Sequence, residues 1–196
     1  GSDAGARAHA RAGWPGQRQS HRVREHEPRR RIEHLVLRRG AGVAQGRNLI
    51  IIQLEAFQSF LLHAQVDGRE ITPNLNRLLD ETIYFPRFYQ MVGQGNTSDA
   101  EFVVNTSLYI PPHGAASQVL GDRRLPSLPR LLAANGYQTA TFHTNDVKFW
   151  NRSALYQALG FHQYYDKSFF GDEDMVFFGS SDEVLYGKSA GQLEQM

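Results

Sequence analysis

Cysteine is absent from this 196-residue sequence. Disulfides, thiolate metal sites and cysteine nucleophiles are thereby excluded. Long apolar runs are lacking as well: no stretch of about 18 apolar residues exists, so no segment suits a membrane-spanning helix. No apolar stretch exceeds four residues, and Leu49–Ile52, one of that length, is strand-sized. The Arg-rich start lacks the apolar core of a signal peptide. A Walker-type phosphate loop is also missing, because the glycine-rich stretch at 93–96 does not end in Gly-Lys-Ser/Thr, which excludes that class of nucleotide triphosphatase.

What is present is a hydrophobic fraction of 41% and an aromatic fraction of 11%, the composition of a globular chain with room for one real core. The net charge of +1 hides an asymmetry. Residues 1–39 carry ten Arg, no Lys and four acidic residues, whereas residues 40–196 carry eleven basic and sixteen acidic ones. A basic arm for nucleic acid or anionic lipid is one reading of the first segment. The composition favours the plainer one, an extraneous or disordered leader over 1–39, with the domain at 40–196 and no nucleic-acid partner.

From Gly46 onward the pattern becomes orderly. Asn48–Leu54 predicts a strand buried on both faces, at the centre of a parallel sheet. Thr72 as N-cap and Pro73 at the first helical position open a helix with Leu75, Leu78 and Leu79 as its buried stripe. An extended aromatic segment follows at Tyr84–Tyr89, then a loop at Gly93–Asn96 and a helix from Ser98 to about Leu108. Ser127–Asn135 predicts a third helix, closed by Gly136 in the left-handed conformation. Tyr137–Phe142 predicts the return strand, Ser153–Leu159 a short helix ending at Gly160, and Phe161–Tyr165 another extended piece. Strands alternating with helices indicate an α/β sandwich with a mostly parallel sheet flanked by helices.

Three residues share one kind of placement. Glu55 directly follows the first predicted strand and His143 follows the second; ligands of open parallel sheets bind at such carboxyl ends. Thr97 joins the loop Gly93-Gln94-Gly95-Asn96 to a helix. There the free N–H groups and the positive end of the helix dipole favour an anion, and glycines let the backbone approach a ligand. Thr97 also reads as a simple helix cap, with Asp99 or Glu101 complementing the dipole. Trp150 and Arg152 complete the set, an apolar platform and a group able to grip phosphate bidentately. The acidic run at 171–174 reads as a solvated loop.

Three segments carry a family resemblance. Residues 51–58 (Ile-Ile-Gln-Leu-Glu-Ala-Phe-Gln), 93–102 (Gly-Gln-Gly-Asn-Thr-Ser-Asp-Ala-Glu-Phe) and 142–152 (Phe-His-Thr-Asn, then Phe-Trp-Asn-Arg) resemble, in order and spacing, the lipoteichoic acid synthase family of the sulfatase and alkaline-phosphatase superfamily. The resemblance covers about residues 40–196. It implies the N-terminal half of an alkaline-phosphatase-like catalytic domain, and an enzyme moving glycerol phosphate from phosphatidylglycerol to a glycerolphosphate polymer through a covalent threonine intermediate. It implies Thr97 as nucleophile and metal ligand, Glu55 as metal ligand, and His143, Trp150 and Arg152 as substrate-binding residues. It further implies one divalent metal, Mn2+, and a place on the extracellular face of the cell membrane, reached through transmembrane helices that the family carries and this sequence does not. Metal coordination would favour the Thr97 alkoxide, which is otherwise scarce at neutral pH.

The family completes its metal site with an Asp-His pair in its second half, and no Asp-His dipeptide occurs in this sequence. The chain is therefore read as a fragment of a transferase, and the 196 residues alone are expected to be inactive. Alternative readings are a phosphoethanolamine transferase or ester hydrolase of the same superfamily, and a non-catalytic remnant that binds anionic headgroups. A type I sulfatase is disfavoured, because its Cys/Ser-x-Pro-x-Arg motif is missing. The compositional break near Gly40 generates one test: deleting residues 1–39 should leave thermal unfolding unchanged, and a large drop in melting temperature would overturn the leader reading.

Overall fold

A computed structural model describes residue 42 and residues 44–196, so the leader expected over residues 1–39 lies outside the described residues. The chain divides into two compact units, one taking residues up to 49 together with 74–84 and the other taking 50–73 and 85–196. In chain order the elements are β1 (Gln65–Val66), β2 (Arg69–Glu70), α1 (Pro73–Glu81), α2 (Thr97–Thr106), α3 (Ala116–Leu120), α4 (Leu128–Ala134) and β3 (Ala140–Phe142). They continue with α5 (Arg152–Leu159), β4 (Gln163–Tyr165), α6 (Lys167–Phe170), β5 (Met175–Val176), β6 (Gly179–Ser180) and α7 (Asp182–Leu193). Among the described residues no helix is long and apolar enough to cross a membrane.

The smaller unit is represented chiefly by α1, which begins at Pro73 as its sequence predicts. Its stripe differs slightly from expectation: Leu75 and Leu79 are half-buried and Asn76 is buried, but Leu78 is exposed. At 100° per residue, Leu78 falls about a third of a turn from the centre of the face that 75, 76 and 79 share.

In the larger unit, Phe102 of α2, Ala116 of α3, Leu125, and Leu155, Ala158 and Leu159 of α5 form one buried apolar cluster. Helix α5 contributes most because Arg152, Leu155, Tyr156 and Leu159, at helical spacing, all face inward. It stops where Gly160 turns left-handed at φ 80° and its N–H bonds back to Tyr156. Helix α4 starts at Ser127, whose Oγ accepts from the Arg130 N–H, and ends before Gly136 at φ 85°. The short helix α3 has no counterpart among the sequence expectations; five residues are too few to carry a readable period.

Strands β3 and β4 pair in parallel, with Ala140 opposite Gln163 and Phe142 opposite Tyr165. A parallel pair needs a crossover, and α5 lies in it. The Phe142 and Tyr165 rings stack at 4.7 Å, a same-face pair set by that register. The predicted parallel strand at 48–54 is not found. That stretch has no ladder partner among the described residues, and Ile50, Ile51 and Ile52 are 64%, 50% and 59% exposed. An apolar run supplies side chains suited to a buried strand, but the strand exists only where a neighbour takes its N–H and C=O groups. The aromatic segment 84–89 likewise forms no strand.

The two left-handed glycines give a graded test. A Cβ on Gly136 would meet open space, whereas one on Gly160 would lie 2.5 Å from Arg130 Cγ. Gly136→Ala should cost about 1–2 kcal/mol, the usual penalty for a left-handed L-residue. Gly160→Ala should cost more, because the Arg130 side chain must also move. Urea denaturation of the two variants checks the order.

Candidate active site

Helix α2 begins at Thr97, so Thr97 is its first residue and Asn96 caps it, with φ 43° and ψ −112°. Asn96 is thus a non-glycine residue in a sparsely populated conformation, of a kind held only where the surroundings enforce it. The Thr97 hydroxyl donates to Glu55 Oε2 at 2.8 Å, across 42 residues of chain. The Thr97 carbonyl accepts a longer bond, 3.4 Å, from Gln53 Nε2. Thr97 is half-buried and Glu55 exposed, so the hydroxyl–carboxylate pair opens to solvent.

Glu55 and Thr97 put two hard oxygen donors side by side, the kind of donor that Mg2+ or Mn2+ prefers. They fit such a cation as two of its ligands. Among the described residues no group of three or more His, Asp or Glu side chains is arranged to hold one by itself.

Arg152 opens α5 and is 1% exposed. Its guanidinium is joined to Glu101: Nη2 lies 2.7 Å from Oε1, and Nε donates to Oε1 at 2.8 Å and Oε2 at 3.2 Å. Such a side-on, two-pronged contact is the strong form of an Arg–carboxylate pair. The remaining nitrogen, Nη1, reaches the Phe149 carbonyl only at 3.4 Å. Tyr156, one turn further along α5, donates its hydroxyl to Glu101 Oε2 at 3.3 Å. Burial, and next the Glu101 carboxylate, hold that phenol above its ordinary range. Glu101 sits four residues after Thr97 on α2, about 6 Å along the axis. The sequence pointed to Arg152 as a phosphate grip. The partnership of Glu101 with Arg152 and Tyr156 has no local spacing signal in the sequence, because Glu101 lies 51 and 55 residues from them.

His143 follows β3. Its Nδ1 accepts from the Asn145 N–H at 3.1 Å, which assigns the ring proton to Nε2. Burial, and then the nearby Arg152 charge, lower its pKa from 6.5 to about 4. The ring is neutral at pH 7 and stands close enough to the guanidinium to sense it. Trp150 occupies a left-handed position at φ 59° inside the tight turn Phe149–Asn151, and its indole meets the Phe149 ring edge-on at 5.7 Å. Thus the structure joins Glu55 to Thr97, and brings Arg152 near His143. Among the described contacts, none ties His143 or Trp150 directly to the Glu55–Thr97 pair.

The sequence profile of the sulfatase family matches residues 47–196, and the chain belongs to that family. Within it, the chain is 41% identical over 131 residues to lipoteichoic acid synthase 2 of Bacillus subtilis (strain 168), covering 66% of this chain and 20% of that protein. It is 41% identical over 137 residues to the lipoteichoic acid synthase of Staphylococcus aureus (strain USA300), covering 68% and 21%. The chain therefore spans about a fifth of the length of these relatives. A crystal structure of the lipoteichoic acid synthase LtaP from Listeria monocytogenes superposes with a TM-score of 0.77 at 51% identity, over 79% of this chain and 38% of that one. An alkaline phosphatase superfamily protein from Vibrio parahaemolyticus shares the fold, with a TM-score of 0.56 at 24% identity over 63% and 30% of the two chains. The α/β fold expected from sequence, that of an alkaline-phosphatase-like domain in part, is the fold these neighbours have.

The lowered His143 pKa has a signed consequence. Between pH 6.5 and about 4 the unfolded chain binds a proton at this ring that the folded chain does not. The His143 contribution to stability is fully present above pH 6.5 and is lost as pH falls through 4. The ring should titrate by NMR with a midpoint near 4, and His143→Gln should flatten the acid limb of the stability curve. A midpoint at or above 6.5 would contradict the structure.

Proposed function

We propose that this chain is the Thr97-bearing part of a phosphoglycerol transferase of lipoteichoic acid synthesis. The observation that carries the proposal is the 2.8 Å bond from the Thr97 hydroxyl to Glu55 at the start of α2. It holds a nucleophile-type oxygen on the first residue of α2, where the positive end of the helix dipole favours an anion. The substrate class rests on the relatives, whose names are those of lipoteichoic acid synthases.

In this reading, Thr97 Oγ1 bonds to the phosphorus of phosphatidylglycerol and the bond from phosphorus to the diacylglycerol oxygen breaks. The proton lost from the hydroxyl is balanced by the one that the released diacylglycerol takes up. The product is a glycerophosphoryl-threonine, which the end of a glycerolphosphate polymer then attacks. Glu55 orients the hydroxyl, since its carboxylate accepts the Thr97 hydrogen. Glu55 and Thr97 would hold a divalent cation, proposed as Mn2+, which when bound supplies positive charge to the threonine oxygen and the phosphoryl group. Arg152 would meet the phosphoryl oxygens through its Nη1 edge, the other edge being held by Glu101, and neutral His143 would donate from Nε2. Trp150 would pack against the glycerol. A lipid donor puts the domain at a membrane surface, the extracellular face of the cell membrane, held there by the transmembrane part of the family.

The test is a chimaera in which residues 47–196 replace the matching segment of Listeria LtaP. It should release diacylglycerol from phosphatidylglycerol when a divalent cation is supplied, and Thr97→Ala should abolish the release. Loss of the hydroxyl alone removes the covalent route, so a folded Thr97→Ala chimaera that still turns over at the parent rate would refute the proposal.

A further inference from the structure

The segment that presents Thr97 is organised around a side chain to which the proposed reaction assigns no role. Asp99 is fully buried. Its Oδ2 accepts from the N–H groups of Gly93 at 3.0 Å and Gly95 at 2.8 Å, and its Oδ1 accepts from the N–H of Ala116 at 2.8 Å. One carboxylate therefore ties together the glycine loop, the first turn of α2 and the start of α3. Ser98 reinforces the same junction: its Oγ bonds to the Gly95 carbonyl and to Ser117 Oγ, each at 3.1 Å.

Gly95 is explained by this carboxylate, whereas a Cβ on Gly93 would meet Ile110 Cδ1 at 2.7 Å. Gly93 and Gly95 do not have positive φ, so no left-handed turn requires them. A Cβ on Gly95 would lie 2.3 Å from Asp99 Oδ1 and 2.6 Å from its Cγ. The absent side chain at 95 is the space the Asp99 carboxylate fills. Thr97 stands midway between Gly95 and Asp99, and follows Asn96 in its sparsely populated conformation. The chain around Thr97 is thus bent and held from both sides by one buried group.

We infer that Asp99 is a positioning residue for Thr97: it fixes the backbone so that the hydroxyl is aimed at Glu55. The inference rests on the reading of Thr97 as nucleophile only for its kinetic consequence. Asp99 does not touch the reacting atoms and acts through the loop. A shift of about 1 Å in an attacking group is worth up to about a hundredfold in rate, so loosening the loop should lower kcat while leaving KM nearly unchanged.

The experiment compares the full 196-residue chain with its Asp99→Asn variant by NMR. Asparagine keeps the shape but turns an N–H2 toward donors that need an acceptor. The amides that the N–H2 faces, either Ala116 or the Gly93 and Gly95 pair, should lose at least about tenfold in exchange protection, the equivalent of one hydrogen bond near 1.4 kcal/mol, and the Thr97 methyl should lose its cross-peaks to Glu55. If Asp99→Asn fails to fold, Ala116→Pro removes one donor at a first helical position, where proline is tolerated, and should weaken the same cross-peaks. Unchanged exchange and unchanged Thr97–Glu55 cross-peaks in a folded variant would overturn the inference. In the LtaP chimaera, Asp99→Asn should lower kcat at unchanged KM. Thr97→Ala turning over at the parent rate there would sink the nucleophile reading and leave the loop result standing.

Discussion

The geometry of the glycine loop depends on a charged group placed where water does not reach. A buried carboxylate must find donors or it destabilises the fold by several kcal/mol. Asp99 finds three, all backbone N–H groups that the loop and helix α3 would otherwise leave without partners. The arrangement satisfies both sides at once, and it also dictates where the chain bends. The position of Thr97, its bond to Glu55 and the unusual backbone at Asn96 are consequences of that anchoring.

A second carboxylate, the half-buried Glu101, lies two residues further along the same helix and faces α5. It neutralises Arg152 and receives the Tyr156 hydroxyl. Removing one partner of such a pair would leave the other charged and dry, so the two helices are locked together by the cost of separating them. Burial, and then the Arg152 charge, keep His143 neutral. Helix α2 therefore holds the loop through Asp99 and the α5 helix through Glu101, while Thr97 stands at its exposed start. The proposed role of Thr97 and this local rigidity are compatible: a nucleophile gains from being held still.

The apolar surface has a different character. Ile50, Ile51, Ile52 and Leu54 are all substantially exposed, as are Phe88, Tyr109 and Phe177. Side chains of this type ordinarily lie inside. The apolar pattern at 48–54 predicts a strand buried in a sheet, yet among the described residues the segment is exposed and no strand lies beside it.

Local signals were legible in the sequence wherever their cause was local. The Pro73 helix start, the Ser127 cap, the left-handed closures at Gly136 and Gly160 and the order of helix and strand from 127 to 165 follow from residues only a few positions apart, and the structure has them. The motifs at 51–58, 93–102 and 142–152 pointed to the family, because a loop-to-helix hydroxyl and a His…Trp-x-Arg segment are recognisable without coordinates. Tertiary structure alone decided that 48–54 is no strand, since hydrogen-bonding neighbours are not encoded in the run itself. It alone decided that the Thr97 hydroxyl bonds directly to Glu55, which the resemblance only groups with it at one metal, that Arg152 belongs to Glu101, and that Gly95 makes room for a carboxylate. Each of those contacts joins groups whose meeting depends on how the helices pack, and packing is a property of the whole core rather than of any window of sequence.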